Sequence, residues 1–171
     1  SIGVSYSPAA PDNTDVRQPN ADQAMYAAKA SGRNRYHFYT SELQERAQRK
    51  RQMIADLREA VNQSQFEVYY QPIVNLLDDS MFRAEALLRW HHPERGMIPP
   101  DQFIPLAEET GLIGPLGEWV LGTACKQASE WIAEGLPALK LSVNISSPHL
   151  KYGLSAATIA SQLAAATLPP A

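Results

Sequence analysis

Phe82-Arg83-Ala84-Glu85-Ala86-Leu87-Leu88-Arg89-Trp90 is the stretch that decides the fold. As a β-strand its side chains alternate between two faces. Phe82, Ala84, Ala86, Leu88 and Trp90 make one wholly apolar face. Arg83, Glu85, Leu87 and Arg89 make the other. A strand covered on its apolar face that also aims a carboxylate and a guanidinium the same way needs partners for those charges. Without them, burial costs several kcal/mol. A metal cation beside Glu85 and a phosphate beside Arg89 would meet that need.

On either side the pattern reads strand, strand, helix, helix, strand, helix. Phe66 to Leu76 reads as a strand, Asp78-Asp79 as a turn, and Met81 to Trp90 as the central strand. His91 to Pro100 is rich in Pro and Gly and reads as a loop. Asp101 to Thr110 reads as a helix stopped by Gly111. A second helix starts at Pro115 and places Leu116, Trp119, Val120, Ala124, Ala128 and Trp131 on one face, with Trp119 and Trp131 expected in the core. Leu139 to Ser146 reads as a strand, and Ser155 caps a last helix to about Thr167. Strands alternating with helices argue for a parallel α/β arrangement. A complete (β/α) barrel needs about 250 residues. About 105 follow Gln65, so the expectation is the first part of a barrel.

The first 40 residues read as a separate piece. A strand at Ile2–Tyr6, a loop over 7–19, a helix from Ala21 to about Ser31 and a strand at Tyr36–Tyr39 are expected. Ala21, Ala24, Met25 and Ala28 stripe the helix. Residues 41–62 are charged, Gln-rich and free of Gly and Pro. Leu43, Ala47, Ile54, Leu57 and Val61 recur there at helical spacing, which predicts a helix linking two domains.

Composition narrows the function classes. The chain has 171 residues, 44% hydrophobic and 19% charged, the balance of an ordinary globular protein. Its net charge of −3 gives no basic field for nucleic acid. Cys125 is the one cysteine, so an intrachain disulfide is excluded and a small core residue is expected. No signal peptide or membrane-length apolar run is present, and a cytoplasmic setting is expected. Both ends read as cut from a longer fold.

Several residue types could carry chemistry. In the strand from Leu139, Ser142, Asn144 and Ser146 share a face that either meets solvent or points into a barrel. In the second case Asn144 lies near the strand's C-terminal end, where barrel active sites sit. Asn and Glu oxygens are hard ligands suited to Mg²⁺ or Mn²⁺. Gln71 shares a face with Tyr69 and is either a satisfied amide or a ligand contact. His91, His92 and His149 read as structural or exposed, with metal ligation the alternative. Lys29 and Arg33 either bracket an anion or complement a helix C-terminus.

Glu85-Ala86-Leu87-Leu88-Arg89-Trp90 resembles the signature of EAL domains, the cyclic-di-GMP phosphodiesterases. Tyr70-Gln71-Pro72-Ile73, Phe103-Ile104-Pro105-Leu106-Ala107-Glu108, Gly117-Glu118-Trp119-Val120-Leu121 and Ser142-Val143-Asn144-Ile145-Ser146 look like the same family, in order. Upstream, Ala21-Asp22-Gln23-Ala24-Met25-Tyr26-Ala27-Ala28-Lys29 and Ser31-Gly32-Arg33-Asn34 resemble the end of a GGDEF diguanylate cyclase domain. There Val16-Arg17-Gln18-Pro19-Asn20 stands in place of that family's Leu-Leu.

The resemblance implies an architecture. Residues 1–40 would end a GGDEF domain, 41–63 would be a linker helix, and 64–171 would begin an EAL domain, an incomplete TIM-like α/β barrel. It implies roles as well. Glu85 and Asn144 would bind metal, Mg²⁺ or Mn²⁺, with Glu85 catalytic. Gln71, Leu87 and Arg89 would hold cyclic di-GMP, and Lys29 and Arg33 would contact GTP phosphates. The implied reaction, hydrolysis of one phosphodiester bond to linear pGpG, belongs to bacterial second-messenger signalling. A homodimer through the EAL part is an expected assembly. With later ligands and a general base lying beyond Ala171, this stretch alone is expected to be inactive. The competing expectation is a non-catalytic module that senses cyclic di-GMP or GTP.

Overall fold

In a computed structural model, the structure describes residues 1–5, 14–30, 32–34, 36–136 and 140–168. The chain divides into two compact units, Ser1–Met53 and Ile54–Ala171.

In the first unit, β1 (Ile2–Val4) leads to α1 (Thr14–Ala30) and then β2 (Tyr36–Phe38), which pairs with β1 in parallel. This is a strand–helix–strand crossover, the connection that parallel pairing requires. The helix lies very close to the strand at Gly3. A Cβ there would fall 1.9 Å from the Ala21 carbonyl oxygen and 2.3 Å from the Met25 nitrogen, so only glycine fits. Ala24 and Ala28 of the expected stripe are fully buried. The helix begins at Thr14, not Ala21, and includes Pro19. Pro19 falls in the second turn, where its fixed φ is compatible with the helix but its missing N–H forfeits one backbone hydrogen bond. Residues 6–13 and Ser31 lie outside the described set, and with them the end of the expected first strand, part of the expected loop and the expected end of the helix.

The helix α2 (Ser41–Asn62) matches the expected 41–62 span. Its last turns belong to the second unit, where Leu57 and Ala60 are fully buried. Asp56, on the same turns, faces the far end of β4. Its carboxylate lies 3.2 Å from His92 Nε2 and 3.2 Å from an Arg95 nitrogen, while His92 Nδ1 accepts the backbone N–H groups of Glu94 and Arg95.

The second unit is built on β3 (Phe66–Val74), β4 (Met81–His92), β5 (Gly96–Ile98) and β6 (Lys140–Val143). Four helices follow the strands or separate them: α3 (Pro100–Thr110), α4 (Ile113–Ala133), α5 (Ser147–Tyr152) and α6 (Ala156–Ala165). β4 is the spine. It pairs antiparallel with β3 along its length, parallel with β6 over Arg83–Ala86, and antiparallel with β5 over Trp90–His92. The sheet is therefore mixed, not wholly parallel. The turn after Val74 is too short for the helical crossover that a parallel neighbour needs, so β3 and β4 close as a hairpin. Asn75 N–H donates to Ser80 O, and Asp78 accepts from Ser80 N–H and Oγ–H there. Those bonds, the side-chain one first, hold the Asp78 carboxyl below its ordinary value.

The alternation expected of β4 is realised on its apolar side. Ala84 and Ala86 are 3% exposed and Trp90 0%, whereas Phe82, nearer the hairpin tip, is 46% exposed. Val68, Ala86, Val120 and Ala124 form a core cluster with Tyr70, Leu88, Leu141 and Val143 packed against it. Phe66, Trp90 and Phe103 continue it as an aromatic group with ring centroids 5.5–5.9 Å apart. Trp90 Nε1–H donates to Gln65 Oε1 at 3.1 Å. Tyr70 stands edge-on to Trp131 at 4.9 Å. Burial first, then the Glu130 carboxylate, raises its phenol above the ordinary value. Trp119 touches Phe66 but remains 41% exposed, so it is not the core residue expected.

Two short elements appear where none was expected. Gly96–Ile98, read as loop, forms β5, because Gly96 at φ 69° turns the chain back on β4. Ser147–Tyr152, not anticipated, is the short helix α5, capped by Ser146 Oγ accepting from His149 N–H. The expected caps at Gly111 (φ 76°) and Ser155 are present, the latter accepting from Thr158 N–H at 3.0 Å. Cys125 is buried as expected, and burial pushes its thiol up.

Candidate functional site

The side of the sheet opposite α4 gathers the residues singled out in the sequence. The hairpin ladder sets Gln71 directly across from Glu85, Tyr69 across from Leu87, and Glu67 across from Arg89. The parallel ladder sets Ser142 across from Glu85 on the other side. Alternation then places Gln71, Glu85, Leu87, Arg89 and Ser142 on one face. Asn144 follows β6 by one residue and reaches back to the same face, where its Nδ2 donates to Glu85 Oε1 at 2.7 Å. Residues 59 positions apart in sequence thus share one hydrogen bond.

The environment of this face is polar and open. Gln71 and Asn144 are exposed, and Glu85, Leu87 and Arg89 are half-buried. The Arg89 guanidinium carbon lies 5.4 Å from the centroid of the Tyr69 ring, and Nη1–H donates to the Leu88 carbonyl at 2.9 Å. Glu67 Oε2 lies 3.0 Å from His91 Nε2.

On the edge of β4 opposite β3, β6 stops pairing at Ala86 and β5 begins at Trp90. Between them, a cavity of about 280 Å³ opens beside Leu87, Arg89 and Asn144, with Leu116 and Val120 of α4 among its apolar lining.

Glu85 and Asn144 supply two adjacent hard oxygen-bearing groups, a fit to part of a divalent cation site. Among the described residues no cluster of three or more His, Cys, Asp or Glu side chains could hold a metal. His92 is buried against Asp56, and His149 is 3% exposed, packed beside Gly117 and Gly153. Both are buried within the fold. Lys29 and Arg33 belong to the first unit. The Lys29 ammonium sits 5.3 Å over the Tyr26 ring, and Arg33 follows α1 at φ 56°. Among the described residues no helix is long and apolar enough to cross a membrane. Sequence reasoning assigned no role to Tyr69, although its shared face with Gln71 was visible in the alternation.

Known proteins resemble the chain in both sequence and fold. One relative is the bifunctional diguanylate cyclase/cyclic di-GMP phosphodiesterase MucR of Pseudomonas aeruginosa. It is 44% identical over 146 residues, covering 85% of this chain and 21% of that protein. The cyclic di-GMP phosphodiesterase NbdA of the same organism is 39% identical over 150 residues, 88% of this chain and 19% of the relative. The chain therefore spans about a fifth of the length of these relatives. Among solved structures, a MucR phosphodiesterase in complex with c-di-GMP superposes with a TM-score of 0.67 at 40% identity, covering 70% of this chain and 48% of the other. The FimX EAL domain of Pseudomonas aeruginosa bound to c-di-GMP gives 0.57 at 31% identity, covering 69% and 46%. Residues 54–171 match the EAL domain family, and the chain belongs to that family.

Proposed function

We propose that this chain carries part of the active site of a metal-dependent cyclic-di-GMP phosphodiesterase. The observation that carries the reading is the Glu85–Asn144 contact at 2.7 Å, with Gln71 across the ladder and Arg89 on the same face. Two oxygen donors and a guanidinium on one open face suit a phosphodiester with its counter-ions. Glu85 through its carboxylate and Asn144 through its amide oxygen would hold Mg²⁺ or Mn²⁺. When bound, divalent metal supplies a water acidic enough to attack at neutral pH and positive charge for the phosphoryl oxygens. Arg89 binds the phosphate through its planar fork, which matches two oxygens at once. Gln71 offers an amide to the dinucleotide, and Leu87 gives a base an apolar contact. The product would be linear pGpG. Two donors do not complete a two-metal site, so turnover needs further acidic residues on this face, and the 171-residue chain alone binds without hydrolysing.

The same reading extends upstream at lower resolution. Residues 1–40 are proposed as the end of a GGDEF-type domain, 41–63 as a linker helix and 64–171 as EAL-type, part of a (β/α) barrel. The strand–helix–strand crossover of the first unit and the two activities in the MucR name support this division. Lys29 and Arg33 would be its phosphate contacts.

Calorimetry of the chain with cyclic di-GMP and Mg²⁺ tests the proposal. Arg89→Ala removes charge-assisted hydrogen bonds and is expected to weaken binding at least about tenfold. An unaltered chain that binds no cyclic di-GMP would refute the reading, as would binding indifferent to both Arg89→Ala and Glu85→Ala.

A further inference from the structure

We infer that Tyr69 is a positioning residue for Arg89. The inference rests on the reading of Arg89 as a phosphate ligand and adds to it the residue that prepares the guanidinium. Tyr69 stands across the ladder from Leu87, its side chain 41% exposed on the face that carries Glu85. The Arg89 guanidinium lies over its ring at 5.4 Å, within the range of a cation–π contact. A second point of attachment is the Nη1–H bond to Leu88 O. The cation lies over the ring, and the Leu88 carbonyl takes one N–H. The other N–H donors point along the plane's edges, where a phosphate binds in bidentate fashion.

The acid directly across from Arg89 reinforces this division of labour. Glu67 would compete with a phosphate for the guanidinium, yet its carboxylate is engaged by His91 Nε2 at 3.0 Å. The Tyr69 ring is also tilted against the His91 ring at a centroid distance of 6.2 Å. The Tyr69 ring therefore neighbours both the histidine that occupies the acid and the cation that must stay available. A long flexible side chain held this way gives up less conformational freedom when the ligand arrives.

Binding of cyclic di-GMP to the 171-residue chain in Mg²⁺ separates positioning from simple packing. Tyr69→Phe keeps the ring and is expected to bind within twofold of the unaltered chain. Tyr69→Leu loses the ring quadrupole and is expected to bind about two- to fivefold more weakly, with an unchanged melting temperature. In an Arg89→Gln background, Tyr69→Leu is expected to cost nothing further. Where Arg89→Gln leaves no measurable binding, the contrast between Tyr69→Phe and Tyr69→Leu decides. Equal affinity for Tyr69→Leu and the unaltered chain overturns the inference, as does an equal loss in both backgrounds. If Arg89→Gln weakens binding while Tyr69→Leu does not, the Tyr69 role alone fails. If neither matters, or the unaltered chain binds nothing, the reading of the site fails with it.

Discussion

The two faces of β4 obey different rules. On one face Ala84, Ala86 and Trp90 are shut away beneath α4 and neighbouring aromatics. On the other, Glu85, Leu87 and Arg89 stay half-open and meet polar neighbours from two more strands. Residues one position apart therefore answer to different measurements. The apolar face is read by stability, because its residues gain by leaving water. On the proposed reading, the polar face is read by binding and turnover. Its groups are left partly solvated, so losing one costs the fold little. The same strand shows why a family signature of six residues mixes packing letters with chemical ones.

The sharpest challenge to this contrast is Trp90→Ala. Removing a fully buried indole should cost about 3–5 kcal/mol, seen in denaturant unfolding of the chain. A loss under about 1 kcal/mol would show that the apolar face is not the support it is taken for. Next in size is Glu85→Ala. In a chimera where residues 54–171 replace the matching segment of the 44%-identical MucR, it should lower pGpG formation at least about a hundredfold. The melting temperature should move by no more than about 2 °C. Surviving hydrolysis, or a collapse of stability, would erase the distinction between the faces.

A smaller effect tests the helix layer behind the apolar face. At Gly117 of α4, a Cβ would fall 2.4 Å from His149 Nδ1. Gly117→Ala should therefore destabilise by about 1 kcal/mol, overpacking outweighing the better helix propensity of Ala. The double change with His149→Ala should recover that part. The smallest effect is kinetic. Burial holds the Cys125 thiol up, so at pH 8 alkylation should be slow in the folded chain and speed up in denaturant. Fast native labelling would mean that α4 leaves its sheet readily.

Much of this was legible because β4 alternates cleanly and its charges fall on one side. The face shared by Gln71 and Tyr69 was visible too, since period two needs only one strand. What the sequence could not carry was register. That Gln71 meets Glu85, and that Asn144 reaches Glu85, depends on where a hairpin turns and where two helices return the chain. β5 escaped notice because Gly96-Met97-Ile98 is too short for a pattern, and its pairing comes from the end of β4. The early start of α1 was hidden by Pro19, whose loop preference yields to its tolerance of a helical φ. α5 is six residues long, shorter than any period can reveal.

The distance along the chain between the two proposed metal ligands, Glu85 and Asn144, has a consequence for assembly. Gln71 and Glu85 meet as soon as the hairpin closes, an event on the scale of about 1–10 μs for isolated hairpins. Asn144 lies 59 residues beyond Glu85, with α3 and α4 in the chain between them. Loop closure over such a span adds about 0.6 kcal/mol of entropy cost per doubling of its length. During synthesis the first donor is thus in place well before its partner emerges. On the proposed reading, a divalent ion that needs both oxygens would report the finished sheet, indifferent to the hairpin and responsive only once β6 has joined it.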